Sequence, residues 1–156
     1  ELALLTASAL ILYVVELQLP VLVPIPGAKL GLANIVTVYA VYRYRPGEVL
    51  LVVLVRIFLG SLFGGSMMTF LYSLAGSLLC LIGMLLLRHL VSGRAIWLAS
   101  VLGAVLHNTG QMLVAVAIAG KGMLFYLPFL MTAGCIAGAF TGLCAQLVLN
   151  RLERRK

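Results

Sequence analysis

Long runs of apolar residues, separated by short segments that contain prolines, glycines or basic residues, make up nearly the whole chain. The runs are too long and too uniformly apolar to be strands, whose side chains alternate between two faces, and open sheet edges cannot face lipid. The pattern therefore predicts an all-α membrane protein, a bundle of six transmembrane helices at about 2–19, 30–42, 49–63, 67–87, 96–119 and 123–149.

Composition and length support a single membrane domain. Hydrophobic residues make up 63% of the chain and charged residues 10%, whereas a soluble domain carries about 25% charged residues. The 156 residues suffice for six spans of about 20 residues with short connections. We therefore expect residues 1–156 to form one transmembrane domain with no separate soluble domain.

The positions of the basic residues predict the orientation of the bundle. One side would carry only Lys29 and Lys121, and Arg56 lies inside a span. The other side would carry the remaining basic residues, which are Arg43, Arg45, Arg88, Arg94, Arg151, Arg154, Arg155 and Lys156. The side rich in Lys and Arg is the cytoplasmic one, so both termini are expected in the cytoplasm. This placement explains the net charge of +7 without a nucleic-acid partner.

The second predicted helix, 30–42, is too short to cross a hydrocarbon core of about 30 Å. Either Lys29 lies within the outer half of the membrane, or the path through the membrane continues in the Pro-rich segment before it. In both cases residues 19–29 are expected to fold back over the helix ends. Irregular backbone at that depth must be buried in protein or line a cavity, so residues 19–29 are a candidate lid.

Several polar residues fall inside the predicted spans. Ionisable groups there are costly, usually face the bundle interior and often mark function. With the predicted orientation they lie from the midplane outward, which predicts a pocket open to the outside. With Lys29 at its rim, the candidate substrate-binding residues are Lys29, Asn34, Arg56, His107, Asn108 and Gln111.

The charges in this region favour an anionic ligand. Lys29, Arg56 and Lys121 face only Glu16, and the planar guanidinium of Arg56 suits bidentate binding of a carboxylate or phosphate. The alternative is an ion pair between Glu16 and Arg56 that joins the first and third helices. Lys121 is equally well explained as a loop charge.

Small residues indicate where helices approach one another. His107 and Gln111 lie one turn apart with Gly103 on the same stripe, so another helix or a ligand can approach that face. On the last helix, Gly134, Gly138 and Gly142 form a similar stripe. Internal packing is the ordinary use of such stripes, and docking to another membrane protein is the alternative, which best suits Ala3 and Ala7.

Three stretches carry a resemblance to a known family: Pro26–Asn34, Arg56 with Leu59–Gly65, and Gly103–Asn108 with Gly110–Gln111. They resemble small bacterial membrane proteins labelled both "Gx transporter" and "heptaprenyl diphosphate synthase component I". The resemblance covers nearly the whole chain and implies a multi-pass protein of the bacterial cytoplasmic membrane.

The chain is also similar to the S-components of energy-coupling-factor (ECF) vitamin transporters. This resemblance implies six helices, an outward pocket covered by the first loop, and uptake of a small, anionic vitamin- or cofactor-like molecule. It also implies docking to a transmembrane coupling subunit, which works with ABC ATPases, through an Ala-xxx-Ala motif that Ala3 and Ala7 match.

The synthase label implies a different role. All-trans prenyl diphosphate synthases hold magnesium on Asp-rich motifs, whereas this chain has no Asp, and its acidic residues are the scattered Glu1, Glu16, Glu48 and Glu153. Hard cations need clustered oxygen ligands, so we expect no metal site, no cofactor and no catalytic residue. An accessory role beside a catalytic synthase stays open, as does a stand-alone small transporter. No G-x-x-x-x-G-K-[ST] motif occurs, so ATP hydrolysis would require other subunits.

Overall fold

The computed structural model describes residues 1–18, 31–64, 67–90 and 95–153, and within these ranges the regular structure is helical throughout. A 3-10 helix, Lys121–Tyr126, precedes the last α-helix. The six α-helices are α1 Leu2–Gln18, α2 Leu32–Arg43, α3 Pro46–Gly64, α4 Met67–Leu87, α5 Ile96–Ala119 and α6 Leu127–Glu153. The candidate lid, 19–29, lies outside the described residues.

Four of the helices, α3 to α6, are long and apolar enough to cross a membrane. The other two are shorter: α1 has 17 residues and α2 has 12, so α2 covers about 18 Å along its axis. The prediction of an all-α membrane protein with six helices is confirmed.

Two helix starts differ from the sequence prediction, and a proline explains each. The third helix begins at Pro46 rather than at 49, because proline in the first turn gives up no helical hydrogen bond and its φ suits a helix. Glu48 stabilises this start by accepting a hydrogen bond from the Arg45 N–H at 2.8 Å. The last helix begins at Leu127 rather than at 123, with Pro128 in its first turn.

One end of the bundle, which we call the basic end, gathers the N-terminus, the α2–α3 connection, the end of α4 and the end of α6. The Tyr44 hydroxyl donates to Glu1 at 3.0 Å, and Arg88 donates to the Val41 carbonyl at 3.4 Å. The half of the bundle next to this end holds a packed apolar core. Its buried residues include Val38, Val41, Val49, Val53, Leu81, Met84, Ile96, Ala145 and Leu149.

The helices α4, α5 and α6 pack at backbone distance through glycines. A Cβ on Gly110 would lie 2.6 Å from the Ala75 carbonyl oxygen of α4, and a Cβ on Gly142 would lie 2.6 Å from the Trp97 Cα of α5. Such close approach lets helices associate in lipid, where the hydrophobic effect between them is absent. The glycine stripe of α6 is therefore used inside the bundle.

Candidate binding cavity

A partly open cavity occupies the half of the bundle that lies away from the basic end. All six helices contribute to its walls, and its empty volume is about 820 Å³ with the open part included. Because every helix contributes residues to the walls, the cavity depends on the packing of all six helices. Its polar wall residues include Tyr13, Glu16, Asn34, Arg56, Ser61, Thr69, Ser73, Ser77, His107, Asn108, Gln111 and Thr141.

Arg56 lies in the middle of α3 and is 7% exposed. Its guanidinium donates to Asn34 Oδ1 at 3.4 Å and to Ser77 Oγ at 3.3 Å. Both acceptors are neutral, and both distances exceed the usual 2.9–3.0 Å of an N–H···O hydrogen bond. A guanidinium carries five N–H donors and a fixed charge. These two long contacts therefore leave N–H donors of Arg56 that could bind an anion.

Glu16 connects the end of α1 to the start of α2. Its carboxylate accepts a hydrogen bond from the Gly31 N–H, and Gly31 has a left-handed backbone with φ 71° as the N-cap of α2. A carboxylate at this position satisfies an unpaired N–H and interacts favourably with the helix dipole. The contact fixes the first turn of α2, from which Asn34 reaches Arg56. The ion pair between Glu16 and Arg56 stays a prediction, although both side chains line the cavity.

Asn108 of α5 joins α5 to α6. Its Nδ2 donates to the Leu130 carbonyl at 2.6 Å and is buried. The space for this amide exists because residue 134 is glycine, since a Cβ there would overlap Asn108 Nδ2. Asn108 therefore has a structural role in addition to its place in the cavity wall.

The face of α5 that carries His107 and Gln111 is approached by α4. A Cβ on Gly76 would lie 2.9 Å from both Gln111 Cγ and the His107 carbonyl oxygen. Both side chains also line the cavity. Among the described residues Gln111 Oε1 is buried and accepts no hydrogen bond. A helix therefore packs on this face, and contact with a ligand stays a prediction.

Hydroxyl groups form a part of the wall that the sequence analysis missed. Thr69, Ser73 and Ser77 follow one another at intervals of four residues on α4, so they share one helix face. Their spacing is visible in the sequence, but a helical Ser or Thr commonly bonds to its own backbone, so residue type alone does not mark these positions as part of a cavity wall.

Of the remaining predicted residues, Ala3 and Ala7 do not line the described cavity. Lys29 is outside the described residues. Ala3 and Ala7 are exposed on α1 near the basic end, so docking through them stays a prediction. Within the ranges that the structure describes, no group of three or more His, Cys, Asp or Glu side chains is placed to hold a metal ion.

Comparison with known proteins identifies the family. Residues 5–148 match the model of heptaprenyl diphosphate synthase component I. The chain belongs to this family. The match covers every described residue that lines the cavity and confirms the family resemblance seen in the sequence. No curated protein and no solved structure matches the chain.

Proposed function

We propose that this chain is a membrane-embedded binding subunit that holds a small anionic molecule in its cavity for uptake across the bacterial cytoplasmic membrane. The observation that carries the proposal is Arg56, a permanently charged side chain that is buried at mid-bundle and whose two hydrogen-bond acceptors are neutral. Asn34, Asn108 and Gln111 would surround the ligand, and Lys29 would lie at the rim.

The buried charge of Arg56 has an energetic cost in a membrane. An arginine near the centre of a membrane helix costs about 2.5–3.5 kcal/mol on insertion scales, and long hydrogen bonds to neutral oxygens do not cancel its charge. A ligand carboxylate or phosphate would add to the negative charge of Glu16, which lines the same cavity, and could accept two parallel N–H bonds from Arg56. A binding role therefore explains why an arginine lies here.

The position of the cavity supports uptake. It lies in the half away from the basic end, and the side rich in Lys and Arg is expected in the cytoplasm. The cavity would then face the outside, where a molecule to be imported is met. Exposed Ala3 and Ala7 on the cytoplasmic part of α1 would dock an ECF-type coupling subunit that works with ABC ATPases.

The family name favours a second candidate, an accessory membrane component of heptaprenyl diphosphate synthesis. "Component I" implies a partner component in a synthase complex. A diphosphate is also an anion that Arg56 could bind, so the cavity does not exclude this role. The two candidates differ in the partner, which is a membrane transport complex in one case and a prenyl synthase in the other.

The experiment is purification of the tagged chain from gently solubilised native membranes, with mass spectrometry of the retained small molecules and proteins. We expect an anionic compound to be retained by the wild type and lost from Arg56→Gln. The control Arg43→Gln removes the same charge from an exposed site and should retain the compound.

Equal retention of that compound by wild type and Arg56→Gln would contradict the binding role. Co-purification of a coupling protein with two ABC ATPases supports uptake, and co-purification of a prenyl synthase instead supports the second candidate.

A further inference from the structure

One face of α4 changes from hydroxyl-bearing residues to apolar residues at the depth of Arg56. From the α3–α4 connection to mid-helix it carries Thr69, Ser73 and Ser77, all of which line the cavity. These three positions span about 12 Å along the helix axis. We call them the hydroxyl ladder. Beyond Ser77 the same face continues with Cys80 and Met84, which are buried in the packed core.

The hydrogen bonding of the ladder differs from that of most described hydroxyls elsewhere in the bundle. A Ser or Thr in a helix commonly donates to a carbonyl of its own helix three or four residues earlier. Six described residues do so, namely Thr6, Ser8, Ser61, Thr109, Thr132 and Thr141. In the ladder, by contrast, Ser77 accepts from Arg56. The hydroxyls of Thr69 and Ser73 form no hydrogen bond with a residue that the structure describes. For Ser73 these residues include its ordinary acceptors three and four positions earlier, Phe70 and Thr69, whereas those of Thr69 lie outside the described residues.

Open hydroxyls on a membrane-spanning helix need a partner, because hydrocarbon offers none. Thr69 and Ser73 are only half-buried and face the cavity, so a partner can reach them there. They lie between the end of the bundle and the guanidinium, in line with Ser77. A ligand whose acid group contacts Arg56 would extend past these hydroxyls.

We propose that the hydroxyl ladder is a second subsite of the cavity, along which a hydroxyl-bearing arm of the bound anion lies. This inference rests on the proposed function, since it assumes that the acid group is held by Arg56. A hydroxyl both donates and accepts hydrogen bonds, so a polyol-type arm can form a hydrogen bond with each residue of the ladder. An alkyl or prenyl chain in the same place would bury the hydroxyls without partners, which is unfavourable.

The experiment compares gluconate with hexanoate, two carboxylates with the same carbon number and charge that differ in their hydroxyl groups. Binding to the protein in nanodiscs is measured by isothermal titration calorimetry. We expect gluconate to bind about tenfold or more tightly than hexanoate. Thr69→Val and Ser73→Ala should each weaken gluconate about two- to tenfold, as expected for one lost hydrogen bond, and leave hexanoate unchanged.

The matched controls are Thr132→Val and Ser8→Ala. Both remove an exposed hydroxyl that is bonded to its own helix outside the cavity, and both should bind gluconate as the wild type does. Unchanged hexanoate binding also shows that the ladder variants are folded.

Two outcomes would overturn the inference in distinguishable ways. Equal binding of gluconate and hexanoate, unaffected by Thr69→Val and Ser73→Ala, removes the ladder subsite but leaves the anion site at Arg56 intact. Absence of binding by both probes contradicts the anion site itself and removes the proposed function together with the ladder.

Discussion

The two halves of this bundle are built from the same helices but differ in what they enclose. Next to the basic end, α2, α3 and α4 contribute Val41, Val53 and Met84 to a core with almost no exposed surface. In the other half the same helices contribute Asn34 and Arg56, together with the hydroxyl ladder, to an open cavity. Each of these three helices therefore changes from apolar packing residues to polar cavity residues along its length.

This difference separates stability from binding. The half next to the basic end, which we call the packed half, is stabilised by close van der Waals contact, which holds helices together in lipid. The half that contains the cavity, which we call the hollow half, also has a small apolar cluster of Met112, Ala115 and Leu130. Around the cavity it gives up such contact and keeps polar groups that cost free energy in a membrane. Substitutions in the packed half, and at contacts between helices around the cavity, should therefore change the free energy of unfolding. Substitutions of cavity side chains that make no contact between helices should mainly change affinity.

The largest effect on stability is expected where α4 and α5 touch behind the cavity. Gly110→Ala places a Cβ against the Ala75 carbonyl oxygen, a backbone atom that cannot move aside, so we expect a loss of about 3 kcal/mol. The control Gly122→Ala adds a Cβ where no atom lies within 4 Å and should be nearly neutral. Equal unfolding free energies for the two variants would show that this contact is not tight.

Met84→Ala opens a void in the packed half, where Met84 is 1% exposed. We expect a loss of about 2 kcal/mol, at the low end for buried methionine because lipid rather than water is the alternative environment. Leu86→Ala, on the lipid-facing side of the same helix and 67% exposed, should cost much less. Gluconate affinity should be unchanged in both, and a loss of affinity in Met84→Ala would contradict the separation of the two halves.

Asn108→Ala removes the hydrogen bond between α5 and the Leu130 carbonyl. Interhelical hydrogen bonds in membranes contribute about 0.6 kcal/mol on average and up to about 1.7, so we expect a loss of about 1 kcal/mol in unfolding free energy. Unfolding of the reconstituted protein in denaturant measures this change. An unchanged value would show that Asn108 does not stabilise the α5–α6 contact.

The smallest effect is expected for Glu16→Gln. The amide oxygen can still accept the Gly31 N–H, but the charge at the start of α2 is lost, which costs about 0.3–1 kcal/mol. Anion affinity should change little if Arg56 is held mainly by Asn34 and Ser77. A large gain in anion affinity would instead show that Glu16 is the ion-pair partner of Arg56.

The sequence predicted the helices well because a membrane leaves few alternatives: an apolar run of sufficient length must be helical. The starts of α3 and α6 are less well predicted, because a proline such as Pro46 or Pro128 can mark either the break before a helix or its first turn. The depth of charged and amide residues within the predicted spans could be estimated from the sequence. The structure brings Asn34, Arg56 and Gln111 to one cavity.

The hydroxyl ladder could not be identified from residue types alone. Ser61 and Ser73 are the same residue in similar apolar surroundings, yet Ser61 donates to the Phe58 carbonyl whereas Ser73 has no partner among the described residues. That difference depends on side-chain conformation and on the cavity beside α4. The role of Asn108 likewise depends on the α6 backbone that it reaches.

The most direct measurement of the central claim is calorimetric titration of gluconate into wild type, Arg56→Gln and Arg43→Gln in nanodiscs. Removal of a buried charged partner from an ionic hydrogen-bonded contact costs about 2–5 kcal/mol, so Arg56→Gln should lose about 30-fold or more in affinity. Arg43→Gln, with the same change of net charge at an exposed site, should match the wild type. Affinities for wild type and Arg56→Gln that agree within about twofold would contradict the claim that the hollow half is an anion-binding site centred on Arg56.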